Sequence, residues 1–294
     1  MLLKIKHKIV ELVRLLFSEM IHTELAIENF RAKAAVCEKR GVTDLPLLDE
    51  PLVVSLTTFG QRVFDVHLVV ESIMQQTVLP NRIILWLDET EFNESSLPLS
   101  LKKMQQRGLE IRYCPNLRSY KKIIPTLKLV PEATVITIDD DVLYPEDFVE
   151  RLVSAYKADK KCIYFCRGRY ILRNKKGYAP YKQWKMVDKT EKRMDILPTG
   201  IGGVLYPRGC FFKDVLDENL FMRLCPKADD VWLRVMTLKQ GYPCCLVEYS
   251  GQFRYSFVNL DRTQQRSALS NNNLYSNAND VQIEKTFSHY EVSL

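Results

Sequence analysis

Apolar residues along the chain fall in short blocks of two alternating kinds. Leu52-Val-Val-Ser-Leu56, Arg82-Ile-Ile-Leu-Trp-Leu87 and Leu109-Glu-Ile-Arg-Tyr113 are brief, strand-like runs. Between them Val63, Val66, Val70 and Ile73 recur at helical spacing and predict a helix to about Gln76. Residues 99–106 predict a second helix, stopped by Gly108. Residues 119–128 predict a third, with Pro125 as an interior residue able to kink it. Then comes Thr134-Val-Ile-Thr-Ile-Asp-Asp-Asp-Val142, an apolar run leading straight into three carboxylates. Such a run reads as a strand buried on both faces, as in a parallel sheet. Repeated strand–helix units predict an α/β fold with a mostly parallel, doubly wound sheet.

Both ends of the chain depart from this rhythm. In residues 1–48, Leu2, Ile5, Ile9, Leu12, Leu16 and Met20 form one helical stripe, with Lys4, Lys8 and Arg14 off it and Lys6 at its border. A basic amphipathic helix can lie on an anionic membrane surface, or pack on its own domain or a partner chain. A second helix is expected over residues 23–39. Residues 45–51 read as a linker, so the expected organisation is an N-terminal helical extension, 1–48, and one larger domain, 49–294. Past Asp141 the chain predicts a helix over 145–157, with Pro145 at its first position, and a strand over 161–166. Leu197-Pro-Thr-Gly-Ile-Gly-Gly-Val-Leu-Tyr-Pro207 sets three glycines beside a short strand, as a tight turn or a ligand-approaching loop. Ala228-Asp-Asp-Val-Trp-Leu233 opens a helix ending near Gly241. The polar tail after Tyr249, with Asn271, Asn272 and Asn273 in a row, gives no readable pattern.

Composition adds little: of 294 residues, 46% are hydrophobic and 27% charged, as in ordinary globular proteins. No apolar run is long enough to span a bilayer, and the charged N-terminal run does not read as a secretory signal. Eight cysteines are scattered without zinc-site spacing, which reads as reduced, cytosolic thiols. The distribution of charge is more informative. Residues 167–193 hold ten Lys/Arg against Asp188 and Glu191, interleaved with Tyr170, Tyr178, Tyr181 and Trp184. That stretch suits nucleic acid, an acidic or phosphorylated glycan, or plain solvent.

The carboxylates carry the chemistry. Asp139, Asp140 and Asp141 cannot lie unpaired in a core, so they belong where the strand opens to water. In open α/β sheets that end binds ligands, and clustered oxygen donors suit Mg²⁺ or Mn²⁺ shared with phosphates. Side chains alternate along a strand, which predicts that Asp139 and Asp141 share a site that Asp140 does not. Of Asp229 and Asp230, one can cap the helix they open, leaving the other for chemistry.

Taken in order, Ser55-Leu-Thr-Thr58, Glu71-Ser-Ile-Met-Gln-Gln-Thr77, Ile84-Leu-Trp-Leu-Asp88, Lys121-Lys122, the Asp triplet, Gly200-Ile-Gly-Gly203 and Asp229-Asp230 resemble a known family. Residues 52–249 resemble bacterial GT-A-fold glycosyltransferases of surface polysaccharide and lipopolysaccharide biosynthesis. The resemblance implies a Rossmann-like GT-A catalytic domain, while the cysteines read as cytosolic and the basic N-terminal stripe adds peripheral contact at the cytoplasmic membrane face as an alternative to packing. Thr57, Thr58, Asp88, Lys121, Lys122, Asp139 and Asp140 would bind the nucleotide-diphosphate sugar. Asp141 and Asp139 would hold Mn²⁺ or Mg²⁺, and Tyr181, Trp184, Gly202 and Gly203 would meet the acceptor. Asp230 would be the general base and Asp229 its capping or orienting neighbour, where the family often has Glu. The acceptor would be a glycan or glycolipid hydroxyl, the glycan being anionic in one version, and no nucleic acid would be involved.

A sugar hydroxyl attacks only as a carboxylate takes its proton, and one base with no second carboxylate as nucleophile favours inversion. The field at the helix N terminus is expected to lower the pKa of Asp230. Two other classes fit the same residues: a nucleotidyl- or phosphotransferase using the Asp triplet, and a non-catalytic nucleotide-sugar-binding protein.

Overall fold

The computed structural model of the chain describes residues 2–175, 177–249, 253–260, 278–292 and 294, with the backbone alone for 2–12, 15 and 16. Its strands, in chain order, are β1 (Leu52–Thr57), β2 (Arg82–Asp88), β3 (Leu109–Cys114), β4 (Thr134–Thr137), β5 (Val142–Leu143), β6 (Ile163–Phe165), β7 (Gly168–Tyr170), β8 (Arg173–Asn174), β9 (Gly177–Tyr178), β10 (Ile196–Pro198), β11 (Val204–Tyr206), β12 (Cys244–Leu246) and β13 (Val258–Asn259). Its helices include α1 (Leu2–Val36), α2 (Val66–Met74), α3 (Leu99–Gln106), α4 (Ile124–Leu129), α5 (Phe148–Ala158), α6 (Glu218–Leu224) and α7 (Asp229–Lys239).

Seven of the described strands form the central sheet, in the order β12-β6-β11-β4-β1-β2-β3. β1 pairs in parallel with both β2 and β4, β2 with β3, and β6 with β12. β11 runs antiparallel between β4 and β6. The fold is therefore α/β and Rossmann-like, a mostly parallel sheet flanked by helices, with an N-terminal helix. Alternation along the strands feeds two faces. Leu52, Val54, Leu56, Ile83, Leu85 and Leu87 join a core with Val66, Val70, Leu101 and Leu152. Val53, Ile84, Trp86 and Val135 point the other way, into a smaller cluster. Burial on both faces is why these strands read as unbroken apolar runs.

The expected elements recur with instructive shifts. The N-terminal region is one continuous helix rather than two, since no Gly or Pro interrupts residues 20–23. The side chains of the proposed stripe up to Leu12, and that of Leu16, lie outside the described residues, while Phe17 and Met20 are exposed. Pro125 does not kink a helix. A 3₁₀ turn covers Arg118–Lys122, and α4 then starts afresh with Pro125 in its first turn, where the missing N–H costs nothing. Pro145 likewise lies ahead of α5 rather than at its first position. Asn271, Asn272 and Asn273 lie outside the described residues; beyond them comes the helix Ala278–His289.

One stretch of the family-like pattern has a structural task. Glu71 is fully buried, and Arg107 Nη1 donates to its Oε2 at 2.5 Å while Arg107 Nε donates to the Lys39 carbonyl at 2.8 Å. This buried pair ties α2 to the end of α3 and to the chain leaving α1. All eight cysteines are free thiols, Cys37 partly exposed and the others buried. No helix of the described residues is long and apolar enough to cross a membrane.

Candidate active site

The carboxyl ends of β1, β2 and β4 open together, and the first residues past β6, the turn after β10 and the start of α7 close around them. They line one cavity of about 720 Å³. Thr57, Thr58, Asp88, Lys121, Lys122, Asp139, Asp140, Asp141, Tyr181, Asp229 and Asp230 all border it.

On the β1–β2 side, Thr57 Oγ1 donates to the Trp86 carbonyl at 2.8 Å. Asp88 accepts from the Thr90 backbone N–H and hydroxyl at 2.9 and 2.7 Å. Burial works against its charge, but those bonds and Lys121 hold its carboxyl below the usual range. The buried Lys121 stands 4.0 Å from it.

The Asp triplet is divided differently from the alternation argument. β4 ends at Thr137, so the aspartates lie beyond the pleat and need not alternate. Arg62 bridges Asp140 and Asp141, at 2.6 and 3.1 Å. Thr58 Oγ1 also donates to Asp140 at 2.6 Å. Burial pushes the Asp140 carboxyl up, against the pull of Arg62 and Thr58. Asp139 instead faces Lys122 Nζ at 3.0 Å. Lys122 is also 3.0 Å from Asp229 Oδ2, so it joins the two acidic corners. Its burial opposes a charge, yet Asp139, Asp229 and Asp230 raise its pKa well above the usual lysine value.

Asp229 is not a cap. Ala228 is the N-cap of α7, and no side chain caps that end. Asp229 and Asp230 are the first two helical residues, Asp229 buried and paired with Lys122, Asp230 half-buried at the cavity wall. Asp230 accepts from the Gly200 N–H at 3.2 Å, and among the described residues no basic side chain stands at ion-pair distance from it. Its carboxyl is raised to about 7, by burial first and then by Asp229, with Lys122 pulling the other way. The expected lowering by the helix terminus is thus overturned: removal from water outweighs the partial charge of a helix end, which acts only within one turn.

The acceptor residues expected from the sequence separate. Tyr181 borders the cavity. Trp184 does not: it is 1% exposed, its Nε1 donates to the Ala179 carbonyl, and it packs in the core beneath the basic stretch. Gly202 and Gly203 serve packing. A Cβ on Gly202 would come within 2.6 Å of the Arg167 backbone nitrogen, and one on Gly203 (φ 73°) within 2.4 Å of Phe148. Gly200 and Ile201 line the cavity in their place. A Cβ on Gly200 would sit 2.7 Å from Lys122 Nζ and 2.8 Å from Asp139, so glycine there permits that ion pair.

Sequence reasoning missed Arg62, and its position held the signal. It follows the first strand by one turn, where open sheets bind ligands. Arg167 and Arg169 also border the cavity, whereas Arg193 in the same basic stretch turns away to Asp195.

Among the described residues, no group of three or more His, Cys, Asp or Glu side chains surrounds a common point. A Mg²⁺- or Mn²⁺-type ion needs less, since it takes one or two carboxylates and completes its shell with water and substrate phosphate. The donors are of the right hard-oxygen type, and the guanidinium already lodged between Asp140 and Asp141 shows that this corner attracts a cation. The site fits such an ion only with phosphate ligands.

No protein-family model matches the sequence, and no curated protein matches it. Similar solved structures include a CMP:2-keto-3-deoxy-manno-octonic acid synthetase complexed with CTP, 12% identical, TM-score 0.41, covering 74% of this chain and 96% of that one. Another is the inositol-1-phosphate CTP transferase from T. maritima, 12% identical, TM-score 0.40, covering 68% and 85%. A third is the mannosyltransferase PcManGT from Pyrobaculum calidifontis in complex with GDP-Man and Mn²⁺, 13% identical, TM-score 0.42, covering 83% and 69%. At these TM-scores any functional reading rests on the chain's own residues.

Proposed function

We propose that the chain is a glycosyltransferase that moves a sugar from a nucleotide-diphosphate sugar to a hydroxyl of a cell-surface glycan or glycolipid, with inversion. One observation carries this reading: residues far apart in sequence, from Thr57 to Asp230, border a single cavity in which a half-buried carboxylate faces a cluster of paired charges. Asp230, with a pKa of about 7, is poised to accept the proton of an attacking hydroxyl near neutral pH. Lys121 and Lys122 supply positive charge where a leaving diphosphate gains negative charge. Thr57, Thr58 and Asp88 are the groups on the nucleotide side.

Asp141 and Asp139 would hold a divalent ion with the diphosphate, and that ion would offset the charge of the departing phosphate oxygens. The domain division at residue 48 and a cytoplasmic location, peripheral at the membrane face, belong to the same proposal.

The test is a panel of nucleotide-sugars incubated with the chain and mixed glycan acceptors, with and without EDTA, and read by product mass. Sugar transfer and a free nucleoside diphosphate are expected, with loss of turnover in EDTA. Transfer of a nucleotidyl or phosphoryl group instead would move the chain to the nucleotidyl- or phosphotransferase class. Donor binding without turnover would make it a binding protein.

A further inference from the structure

Arg167 and Arg169 straddle Gly168 at the start of β7. Gly168 has no room for a side chain, since a Cβ would lie 2.7 Å from Phe165 and 2.9 Å from the Leu197 carbonyl. The backbone is thus clamped to the sheet while both arginines border the cavity. Their geometry is built rather than loose. The Arg167 carbonyl accepts from Thr199 N at 2.9 Å, and its Nη1 donates to Thr199 Oγ1 at 3.3 Å. Arg169 Nη1 donates to the Trp184 carbonyl at 2.6 Å, and its guanidinium lies 5.0 Å from the Tyr181 ring centre.

Neither guanidinium has a carboxylate at ion-pair distance among the described residues, and Arg169 Nε is buried with no hydrogen-bond partner. Burial, together with the nearby Arg169 charge, pulls Arg167 below its usual value, although Asp230 and Asp139 act from further off to hold it up. Two half-buried cations side by side call for an anion, and paired guanidinium forks suit a phosphate or carboxylate.

Position decides whose anion it is. β6, which leads into Arg167, is two strands from β4 on the side away from β1 and β2. With strands ~4.8 Å apart, the arginine pair lies roughly 10 Å across the sheet from the Asp triplet. Asp230 is tied to this side, since it accepts from the Gly200 N–H next to Thr199, which bonds the Arg167 carbonyl; Thr57, Thr58 and Asp88 stand at the ends of β1 and β2 across the triplet, with Lys121 beside Asp88. A cavity of about 720 Å³ is of small-ligand size, not of a size for a nucleic-acid duplex.

We propose that Arg167 and Arg169 form an oxyanion subsite for the acceptor, which carries a phosphate or carboxylate beside the sugar that receives the transfer. This rests on the glycosyl-transfer reading and specifies its acceptor class.

The test titrates the full chain calorimetrically with glucose 6-phosphate, glucuronate and glucose, and separately with UDP, GDP and CDP. One of the two charged sugars should bind at least ~10-fold more tightly than glucose, and which one it is identifies the anion. Arg167→Gln with Arg169→Gln should erase that preference and leave nucleoside diphosphate affinity unchanged. The double Lys variant should keep part of it, and melting temperatures check that both variants fold. Equal binding of the three sugars overturns the proposal without any variant. So does a preference that survives the double Gln change, or a loss of nucleoside diphosphate affinity in its place. If no nucleoside diphosphate binds while the charge preference holds, the glycosyl-transfer reading fails and the anion subsite stands.

Discussion

Two acidic corners meet in the cavity, and the same side chain behaves differently in each. At the end of β4, every aspartate has a cation in contact: Arg62 for Asp140 and Asp141, Lys122 for Asp139. At the start of α7, Lys122 serves Asp229, and Asp230 accepts from the Gly200 N–H with no basic side chain at ion-pair distance among the described residues. The first corner is a paired lattice of fixed charge, suited to holding a charged ligand. The second holds a carboxyl near 7, suited to moving a proton. The difference teaches that the role follows from pairing and burial, not from the residue.

The largest effect should come from Asp230→Asn, which removes the proton acceptor while keeping the shape. Turnover with donor in excess should fall by ~10²–10⁴-fold, with donor affinity nearly intact and no loss of melting temperature. A variant that stays active would place the base elsewhere.

Next, Arg62→Met should make the first corner resemble the second. Removing one partner of a buried ion pair typically costs about 3–5 kcal/mol, so urea unfolding should show a loss of that order. A loss under ~1 kcal/mol would mean that the lattice around Asp140 is not held by Arg62.

A third effect is a pH dependence of stability. Folding raises the Asp230 carboxyl from 3.8 to about 7, so the folded state binds its proton more tightly than the unfolded state. The contribution of this group to stability therefore falls as pH rises through that window, and its cost is fully present above it. Wild type minus Asp230→Asn, measured by thermal unfolding across that range, should show this downward slope. A flat difference would put the folded pKa near the unfolded one.

The smallest effect belongs to Asp229→Asn. Lys122 keeps Asp139, so the fold should survive, and Asp230 loses a neighbouring charge that raises its pKa. The acid limb of the pH–rate profile should move to lower pH, with little change in the plateau. A shift to higher pH would refute the like-charge coupling.

Much of the frame was readable from the chain alone. β1 and β2 read as nearly unbroken apolar runs because both of their faces are buried, whereas the half-buried edge strand β3 was readable from its alternation after Gly108, and the end of α7 from Gly241. The ordered carboxylates also announced a site at the strand ends. Harder to read were the short strands after Asp141 and the tail, whose pairing joins residues far apart in sequence, such as Val258 with Leu143.

Sequence by itself determined the alternating α/β pattern and where acidic groups could stand, since both depend on local period and on the cost of burying charge. Only the tertiary structure decided that Trp184 fills the core, that Arg62 bridges two aspartates, and that Asp230 is the carboxyl held near 7. Those outcomes depend on which distant groups share one small volume with little water, and no local spacing encodes that.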